Sequence, residues 1–310
     1  MTAAPETSLT LRAPGKVNLC LSVRYPPRDG FHELDSVFQA LDVADVLTFS
    51  VCDEAPDGAE DPELTRAGTP VSLSCEGAGV ATRDNLVFKA VDAAEAACAR
   101  AVVPAGSVLR VDVEKHVPAG GGMGGGSSDA ACALEAYARL TGLDALSEPL
   151  SGVARKLGAD VAFFLYGGAA LMTGRGDELV RRLPAFPLPL VLMGDEHGNP
   201  TPKVYAAFDA HPAPASSASA LAEAMERGAS PEELASLCAN NLGPAACELN
   251  PSLAMRLERA SRDSDVLCAL VSGSGSTCFA VCADEPSARS FASRAREFSP
   301  WVEIARAEGR

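Results

Sequence analysis

One stretch of the chain, VPAGGGMGGGSSDAA at residues 117–131, places six glycines within the seven positions Gly120–Gly126 and follows them with Ser127 and Ser128. Glycine loses more backbone freedom on folding than any other residue, so such a run is costly unless bare backbone is needed. Uncovered backbone N–H groups that lie just before a helix N-terminus form a binding site for an anion. The pattern therefore predicts a glycine loop, residues 120–128, that binds a chain of phosphates.

Other interpretations of the glycine loop fit the residues less well. A linker or a flexible lid would not run directly into a helix headed by serine. The P-loop of NTPases needs a lysine before its Ser or Thr, and residues 120–128 contain no lysine. Gly120, Gly122 and Gly125 match a dinucleotide-binding fingerprint, but almost any run this rich in glycine does so, and the preceding strand is not apolar on both faces. A protein-kinase loop would need HRD and DFG motifs downstream, and the sequence has neither.

A second candidate for chemistry is a carboxylate, Asp160, at the start of the apolar run GADVAFFLY. A carboxylate there could accept a proton from an alcohol, with an ammonium group beside it to orient the hydroxyl. An aspartate that is buried in a structural salt bridge is the commoner case for such a position. The residues alone leave this choice open.

Patterns of polar and apolar residues predict the elements that position these groups. Alternation over 107–117 predicts a half-exposed strand that leads into the glycine loop, and 127–142 predicts an amphipathic helix with a serine cap and a glycine stop. Residues 9–23 predict two strands joined by a tight turn. The acidic, proline-rich stretch 52–70 and residues 211–220 predict loops. Further strands are predicted at 44–51, 71–75, 267–271, 277–282 and 301–306, and further helices at 84–101, 201–209, 231–240, 251–262 and 285–297.

Charge and composition limit the classes of partner. The 310 residues include 26 basic and 41 acidic side chains, a net charge of −15 that argues against a nucleic-acid partner but not against a small anion. No apolar run is long enough to span a bilayer, and the first residues do not resemble a signal or transit peptide, so we expect a cytoplasmic protein without a membrane partner. The ten cysteines form no CxxC pair, which fits a reducing compartment and no zinc site.

Three motifs, in order along the chain, resemble those of the GHMP kinases, small-molecule kinases named for galactose, homoserine, mevalonate and phosphomevalonate. They are APGKVNL at 13–19, PAGGGMGGGSSDAA at 118–131 and VSGSGSTCFAV at 271–281. Segments 30–45 and 157–171 resemble the branch of the family that phosphorylates a cytidine-diphosphate-linked methylerythritol. The resemblance implies an α+β protein of two domains. Residues 1–184 would form an ATP-binding domain that resembles domain 2 of ribosomal protein S5, and residues 185–310 a ferredoxin-like domain.

The resemblance also implies an ATP site, with Mg²⁺ as the counterion of ATP and no protein metal site. Asp160 matches the catalytic aspartate of the family, and Lys16 matches its partner. Asn85 and Lys115 match positions that line the adenine pocket. The positions that match the ATP site as a whole are Asn85, Lys115, Pro118, Ala119, Gly120, Gly121, Gly122, Met123, Gly124, Gly125, Gly126, Ser127 and Ser128.

For the phosphate acceptor, the resemblance implies a pocket that holds the sugar alcohol and the base. Asn18 matches a position that contacts the methylerythritol hydroxyls, and Thr201 is a weaker candidate for the same pocket. His32 matches the residue that reads the cytosine edge, while Phe31 and Tyr205 match aromatic positions that flank its ring. Phe31 stands where a tyrosine is common, which removes one hydrogen bond to the substrate. Core packing for the two aromatic residues, and a plain surface or core histidine, remain alternatives.

Two other functions are alternatives to this one. One is another GHMP kinase, of the homoserine or mevalonate type. The acceptor substrate of such a kinase has no base that could stack on aromatic side chains. An RNA-binding module on an S5-like fold is disfavoured by the negative net charge and by the retained Lys16 and Asp160. We expect a monomer or a homodimer that binds a small molecule.

Overall fold

The computed structural model describes residues 7–53, 62–75, 81–195 and 198–309. Residues 54–61 of the predicted acidic loop lie outside the described residues. The strands are β1 Thr7–Val23, β2 Leu34–Cys52, β3 Glu63–Leu64, β4 Pro70–Cys75, β5 Val108–Glu114, β6 Ala169–Thr173, β7 Glu178–Leu183, β8 Leu190–Gly194, β9 Ala239–Asn240, β10 Val266–Val271, β11 Cys278–Cys282 and β12 Trp301–Ala305. The helices are α1 Leu86–Cys98, α2 Gly125–Thr141, α3 Glu148–Leu157, α4 Ala159–Tyr166, α5 Thr201–Ala210, α6 Ala218–Glu226, α7 Pro231–Leu237, α8 Gly243–Leu249, α9 Pro251–Ser261 and α10 Glu285–Ala295.

Most predicted elements are confirmed, but some differ. The helix predicted at 231–240 ends at Leu237, and Ala239–Asn240 form β9. The turn predicted within 9–23 is wrong, because β1 is one continuous strand; the fixed φ of Pro14 is compatible with extended backbone and does not force a turn. Helix α2 begins at Gly125, so Ser127 and Ser128 lie inside its first turn instead of capping it. Glycine is itself accepted at helix starts, so the helix can begin within the second triplet, Gly124–Gly126. The loop predicted at 211–220 ends early, because α6 begins at Ala218.

The described residues divide into two compact units. Unit 1 contains the chain up to Pro14, Ala44–Val117 and Gly125–Tyr166. In it β4 pairs in parallel with β5, and β5 pairs antiparallel with the second half of β2. Helices α1 to α4 cover this sheet and share an apolar core with it, in which Phe49 and Tyr137 are almost fully buried. The strand, crossover helix and parallel strand β4–α1–β5 carry the chain to the start of the glycine loop.

Unit 2 contains Gly15–Val43, Pro118–Gly124 and Gly167–Arg310. Strands β8, β10, β11 and β12 form an antiparallel sheet in the order β10-β11-β8-β12. With the helices between β8 and β10, and with α10 before β12, this is the βαββαβ arrangement of ferredoxin-like folds, as predicted. The first half of β2 pairs with β6, and the end of β1 pairs with β9. The predicted division at residues 184 and 185 remains a prediction.

Among the described helices, none combines the length and the apolar character needed to cross a membrane.

Candidate active site

The first glycine triplet, Gly120–Gly122, lies against the turn that joins β10 to β11, residues 272–277, within unit 2. A β-carbon on Gly122 would lie 2.2 Å from the carbonyl oxygen of Ser272, and one on Gly121 would lie 2.5 Å from Thr277 Oγ1. Both distances are shorter than a β-carbon tolerates, so a side chain at either position would push the turn away. Gly122 also has a φ of +81°, in the region that favours glycine. The backbone carbonyl of Ser272 therefore accounts for Gly122, and the side chain of Thr277 accounts for Gly121.

Hydrogen bonds connect the same triplet to this second glycine turn, residues 272–277. The backbone N–H of Thr277 donates to the carbonyl of Gly121 at 3.0 Å. The hydroxyl of Ser272 donates to the carbonyl of Gly122, also at 3.0 Å. Both bonds use carbonyl groups of the loop, which leaves its N–H groups for other partners.

Lys16 and Asn18 are buried beside the glycine loop. The backbone N–H of Lys16 donates to the Met123 carbonyl at 2.9 Å, and its Nζ donates to Asn18 Oδ1 at 2.8 Å. The Asn18 amide in turn donates to Ser36 Oγ at 2.9 Å. A β-carbon on Gly273 would lie 3.6 Å from both Asn18 Oδ1 and Lys16 Nζ. The structure thus brings together two predicted site residues, the first part of the glycine loop and the second glycine turn.

The N-terminus of α2, in unit 1, offers room and unused donors. Among the described residues, a β-carbon on Gly126 would meet only Leu86 Cδ1, at 3.9 Å, so their packing does not require a glycine there. The hydroxyl of Ser128 is buried and has no hydrogen-bond partner among the described residues. The first N–H groups of a helix lack intrahelical partners and carry partial positive charge. This end of α2 can therefore accept an anion.

Lys115, predicted to line the adenine pocket, lies at the centre of an ion-pair cluster in unit 1. Its Nζ contacts Asp45 Oδ2 and lies 2.7 Å from Asp129 Oδ2. Asp45 is fully buried, and its Oδ1 accepts from the backbone N–H groups of His116 and Val117. One ammonium faces two carboxylates, and burial raises the pKa of Asp129 to about 7, opposed by Lys115 and reinforced by Asp45. The cluster fixes the chain where β5 leads into the glycine loop.

The other predicted residues of unit 1 lie at helix starts. Asn85 is the N-cap of α1, and its Oδ1 accepts from the Val87 N–H at 2.9 Å. Asp160 is half-buried in the first turn of α4.

The remaining predicted residues of the glycine loop differ in exposure. Met123 is buried, whereas Pro118, Ala119, Gly120, Gly124 and Ser127 are half-buried or exposed.

His32 and Tyr205, both assigned by the resemblance to the base end of the acceptor, are in contact. Their ring centroids lie 5.3 Å apart with an angle of 38° between the planes. His32 Nδ1 donates to the Arg24 carbonyl at 2.9 Å, and Nε2 lies 3.0 Å from Asp209 Oδ1. Because both ring nitrogens already face oxygen atoms of the protein, a base that hydrogen-bonds to this ring would have to displace one of them.

Phe31 and Thr201 have neighbours that the sequence analysis did not identify. Phe31 is 53% exposed, and the guanidinium carbon of Arg175 lies 4.1 Å from its ring centroid. In the sequence, the feature that could have drawn attention to Arg175 is the turn motif TGRGD at residues 173–177, which follows a strand. Thr201 Oγ1 lies 2.9 Å from Ser274 Oγ, so the first residue of α5 is hydrogen-bonded to the second glycine turn.

Arg256 is a further residue that the sequence analysis missed. Its side chain is fully buried in unit 2. Its Nη1 donates at 2.9 Å to both Asp195 Oδ2 and Ser252 Oγ, and its Nη2 donates to the Ser276 carbonyl at 3.4 Å. A buried guanidinium therefore supports the second glycine turn from inside the unit.

In the part of the chain that the structure describes, no group of three or more His, Cys, Asp or Glu side chains could hold a metal ion. This finding is compatible with a metal that arrives bound to a phosphate ligand.

Comparisons with known proteins point to one family. The model of the GHMP kinases N terminal domain matches residues 85–168, and that of the GHMP kinases C terminal matches residues 217–300. A 4-diphosphocytidyl-2-C-methyl-D-erythritol kinase from Saccharopolyspora erythraea is 39% identical over 287 residues, which cover 91% of this chain and 85% of the relative.

Solved structures agree with these matches. A crystal structure of 4-(cytidine 5'-diphospho)-2C-methyl-D-erythritol kinase matches with a TM-score of 0.72 and 31% identity, and the match covers 97% of this chain and 100% of that one. Homoserine kinase from Cytophaga hutchinsonii matches with a TM-score of 0.71 over 99% of this chain and 96% of that one, but at 16% identity. The second likeness concerns the fold alone.

Proposed function

Since this chain belongs to the GHMP kinase family, we propose that it transfers the γ-phosphoryl group of ATP to the 2-hydroxyl of 4-diphosphocytidyl-2-C-methyl-D-erythritol. The observation that carries the proposal is the 39% identity, over 91% of the chain, to a kinase named for this substrate. The reaction belongs to the non-mevalonate route to isoprenoid precursors. In this reaction the acceptor oxygen bonds to the γ-phosphorus, the bond from that phosphorus to ADP breaks, and the hydroxyl releases a proton.

The backbone N–H groups of the glycine loop and of the first turn of α2 hold the phosphates of ATP. Support comes from the carbonyl groups of Gly121 and Gly122, which the second glycine turn already occupies, and from the free space above Gly126. Phosphoryl transfer needs mainly positioning and charge neutralisation. Asn85 and Lys115 are assigned to the adenine end by their match to the family.

Mg²⁺ is the proposed counterion of ATP. The ion prefers oxygen ligands, keeps several waters and is commonly held by one or two protein oxygens together with substrate phosphates. The Ser128 hydroxyl and Asp129 Oδ1 are buried oxygens without hydrogen-bond partners among the described residues, and they fit this role. When bound, Mg²⁺ neutralises charge on the phosphates.

Asp160 and Lys16 are assigned to the transfer itself by their match to the family's catalytic residues. Asp160 accepts the proton of the acceptor hydroxyl or stabilises the charge that develops on it. Asn18 holds the Lys16 ammonium through a 2.8 Å hydrogen bond, so the charge of this lysine is fixed in direction before the substrate binds. Pre-oriented charge requires no reorganisation at the moment of reaction.

The nucleotide end of the acceptor is assigned to Phe31, His32 and Tyr205, with Asn18 and Thr201 at the sugar alcohol. An aromatic face stacks on any base, whereas hydrogen bonds to the base edge select among bases. The contact between His32 and Tyr205 supports one pocket for this end of the substrate. We also assign the enzyme to the cytoplasm, as a monomer or homodimer.

An assay with three acceptors tests the proposed function. The purified chain is supplied with ATP and Mg²⁺, and ADP release is followed with 4-diphosphocytidyl-2-C-methyl-D-erythritol, homoserine and mevalonate in parallel. We expect a kcat/KM at least about a hundredfold higher for the cytidylyl substrate, because a site that binds a base rejects acceptors that lack one. Equal or faster turnover of homoserine or mevalonate would contradict the proposal in favour of the other branches of the family.

A further inference from the structure

The exposed ring of Phe31 carries a cation on one face. The Arg175 guanidinium lies over the ring with its carbon 4.1 Å from the centroid, while 53% of Phe31 remains accessible to solvent. At an exposed site such a contact stabilises by only about 0.5–1 kcal/mol. The contact alone is therefore a weak reason to keep a large aromatic side chain and an arginine together on the surface.

The backbone holds Arg175 in place. Arg175 lies in the turn between β6 and β7, where its own N–H donates to Asp177 Oδ1 at 3.0 Å. The Gly174 carbonyl accepts from the Leu34 N–H at 2.8 Å, which connects this turn to the start of β2. Because β2 follows the hairpin that carries Phe31, the turn and the ring share one backbone framework within unit 2.

The neighbouring arginines are engaged with carboxylates, whereas the Arg175 guanidinium is not. Arg24 lies 2.7 Å from Asp35 Oδ2, and Arg28 lies 3.9 Å from Glu33 Oε1. Among the described residues, Arg175 has no carboxylate within salt-bridge distance and no side-chain hydrogen bond, only the Phe31 ring. Its donors remain available to an anion from solution.

Accepting the proposed function, we infer that Arg175 is a further binding residue for the acceptor substrate and contacts its diphosphate. Phe31 offers its uncovered face to the base, and the Arg175 guanidinium, held on the opposite face, hydrogen-bonds to the phosphate oxygens. A planar guanidinium fits two phosphate oxygens at once, which a lysine does not. A fixed cation also helps a protein of net charge −15 to bind a doubly charged ligand.

Calorimetric binding of CDP and of cytidine separates a phosphate contact from a stacking contact. We expect Arg175→Ala to weaken CDP binding about tenfold, the loss of a charge-assisted hydrogen bond, and to change cytidine binding by less than about threefold. Arg175→Lys should restore part of the affinity for CDP. Arg289→Ala serves as the matched control, because it removes an exposed arginine of the same unit that pairs with Glu285.

Two results would overturn the inference: unchanged CDP affinity in Arg175→Ala, or equal weakening of CDP and cytidine, which would assign Arg175 to the base. Thermal unfolding of each variant controls for folding. Binding is measured without turnover, so these results are independent of the three-acceptor assay. A wild-type protein that binds CDP but fails to phosphorylate the cytidylyl substrate would contradict the proposed function and not the Arg175 contact.

Discussion

The backbone N–H of Thr277 donates to the carbonyl of Gly121 at 3.0 Å, which joins the first glycine triplet to the second glycine turn. The run of glycines has two physical causes, which act in different parts of the loop. At Gly121 and Gly122, atoms of the second glycine turn approach too closely for a side chain. At Gly126 the described residues make no such contact, and we propose that a ligand requires the glycine there.

Gly122→Ala should destabilise the protein and lower its activity. Its β-carbon would lie 2.2 Å from the Ser272 carbonyl oxygen, and overpacking of this kind costs about 1–3 kcal/mol, in addition to the strain of a positive φ. Thermal unfolding measures the effect. Gly228→Ala is the control, since Gly228 also has a positive φ but no atom of the described residues within 4 Å of the added carbon. A loss in Gly122→Ala no larger than in the control would refute the packing explanation.

Gly126→Ala, in contrast, should stabilise the protein slightly. Alanine is a better helix residue than glycine by up to about 1 kcal/mol, and the protein leaves space for its methyl group. The KM for ATP should nevertheless rise at least about tenfold, because the methyl group would keep phosphates from the backbone. Gly152→Ala, in α3, controls for helix propensity. An unchanged KM for ATP would show that phosphates do not approach Gly126.

Asp160→Asn should lower kcat by at least about 10² while the affinity for ATP stays nearly the same. The amide has a similar shape but cannot accept the proton of the hydroxyl. Steady-state kinetics and ATP titration measure the two effects. Asp144→Asn is a suitable control, because it removes an exposed charge of unit 1 and keeps the oxygen that accepts from the Leu146 N–H. Near-normal turnover would remove Asp160 from the mechanism.

Asp129 should make stability depend on pH. Burial raises its pKa from 3.8 to about 7, so between these values the folded protein binds a proton that the unfolded chain has released. The contribution of Asp129 to the free energy of unfolding should therefore fall as pH rises from about 4 to about 7, and then level off. Asp129→Asn should flatten this slope relative to the wild type. Unfolding midpoints across this range test the sign; a wild-type slope that the variant retains would contradict it.

Local patterns predicted local elements well. The Asn85 cap of α1 and the half-exposed strand β5 follow from residues within a few positions of one another. The continuous β1 did not follow, since a Pro-Gly pair is compatible with both a turn and an extended strand. The sequence pattern predicts that α2 starts two residues later than it does, because serine is a commoner helix cap than glycine.

Contacts between distant residues were beyond the sequence. Ser272 lies 150 positions after Gly122, and Asp45 lies 70 positions before Lys115, yet each pair is hydrogen-bonded. No periodicity connects such positions, so the cluster around Lys115 and the packing cause of Gly122 emerged only from the fold. The stacking of Arg175 on Phe31 is of the same kind.

The most direct test of the proposed activity is the identity of the product. The chain is incubated with ATP, Mg²⁺ and 4-diphosphocytidyl-2-C-methyl-D-erythritol, and the products are examined by ³¹P and ¹³C nuclear magnetic resonance. We predict one new phosphomonoester on the 2-hydroxyl carbon for each ADP formed. ADP without a phosphorylated acceptor, or a phosphoryl group on any other oxygen, would contradict the account.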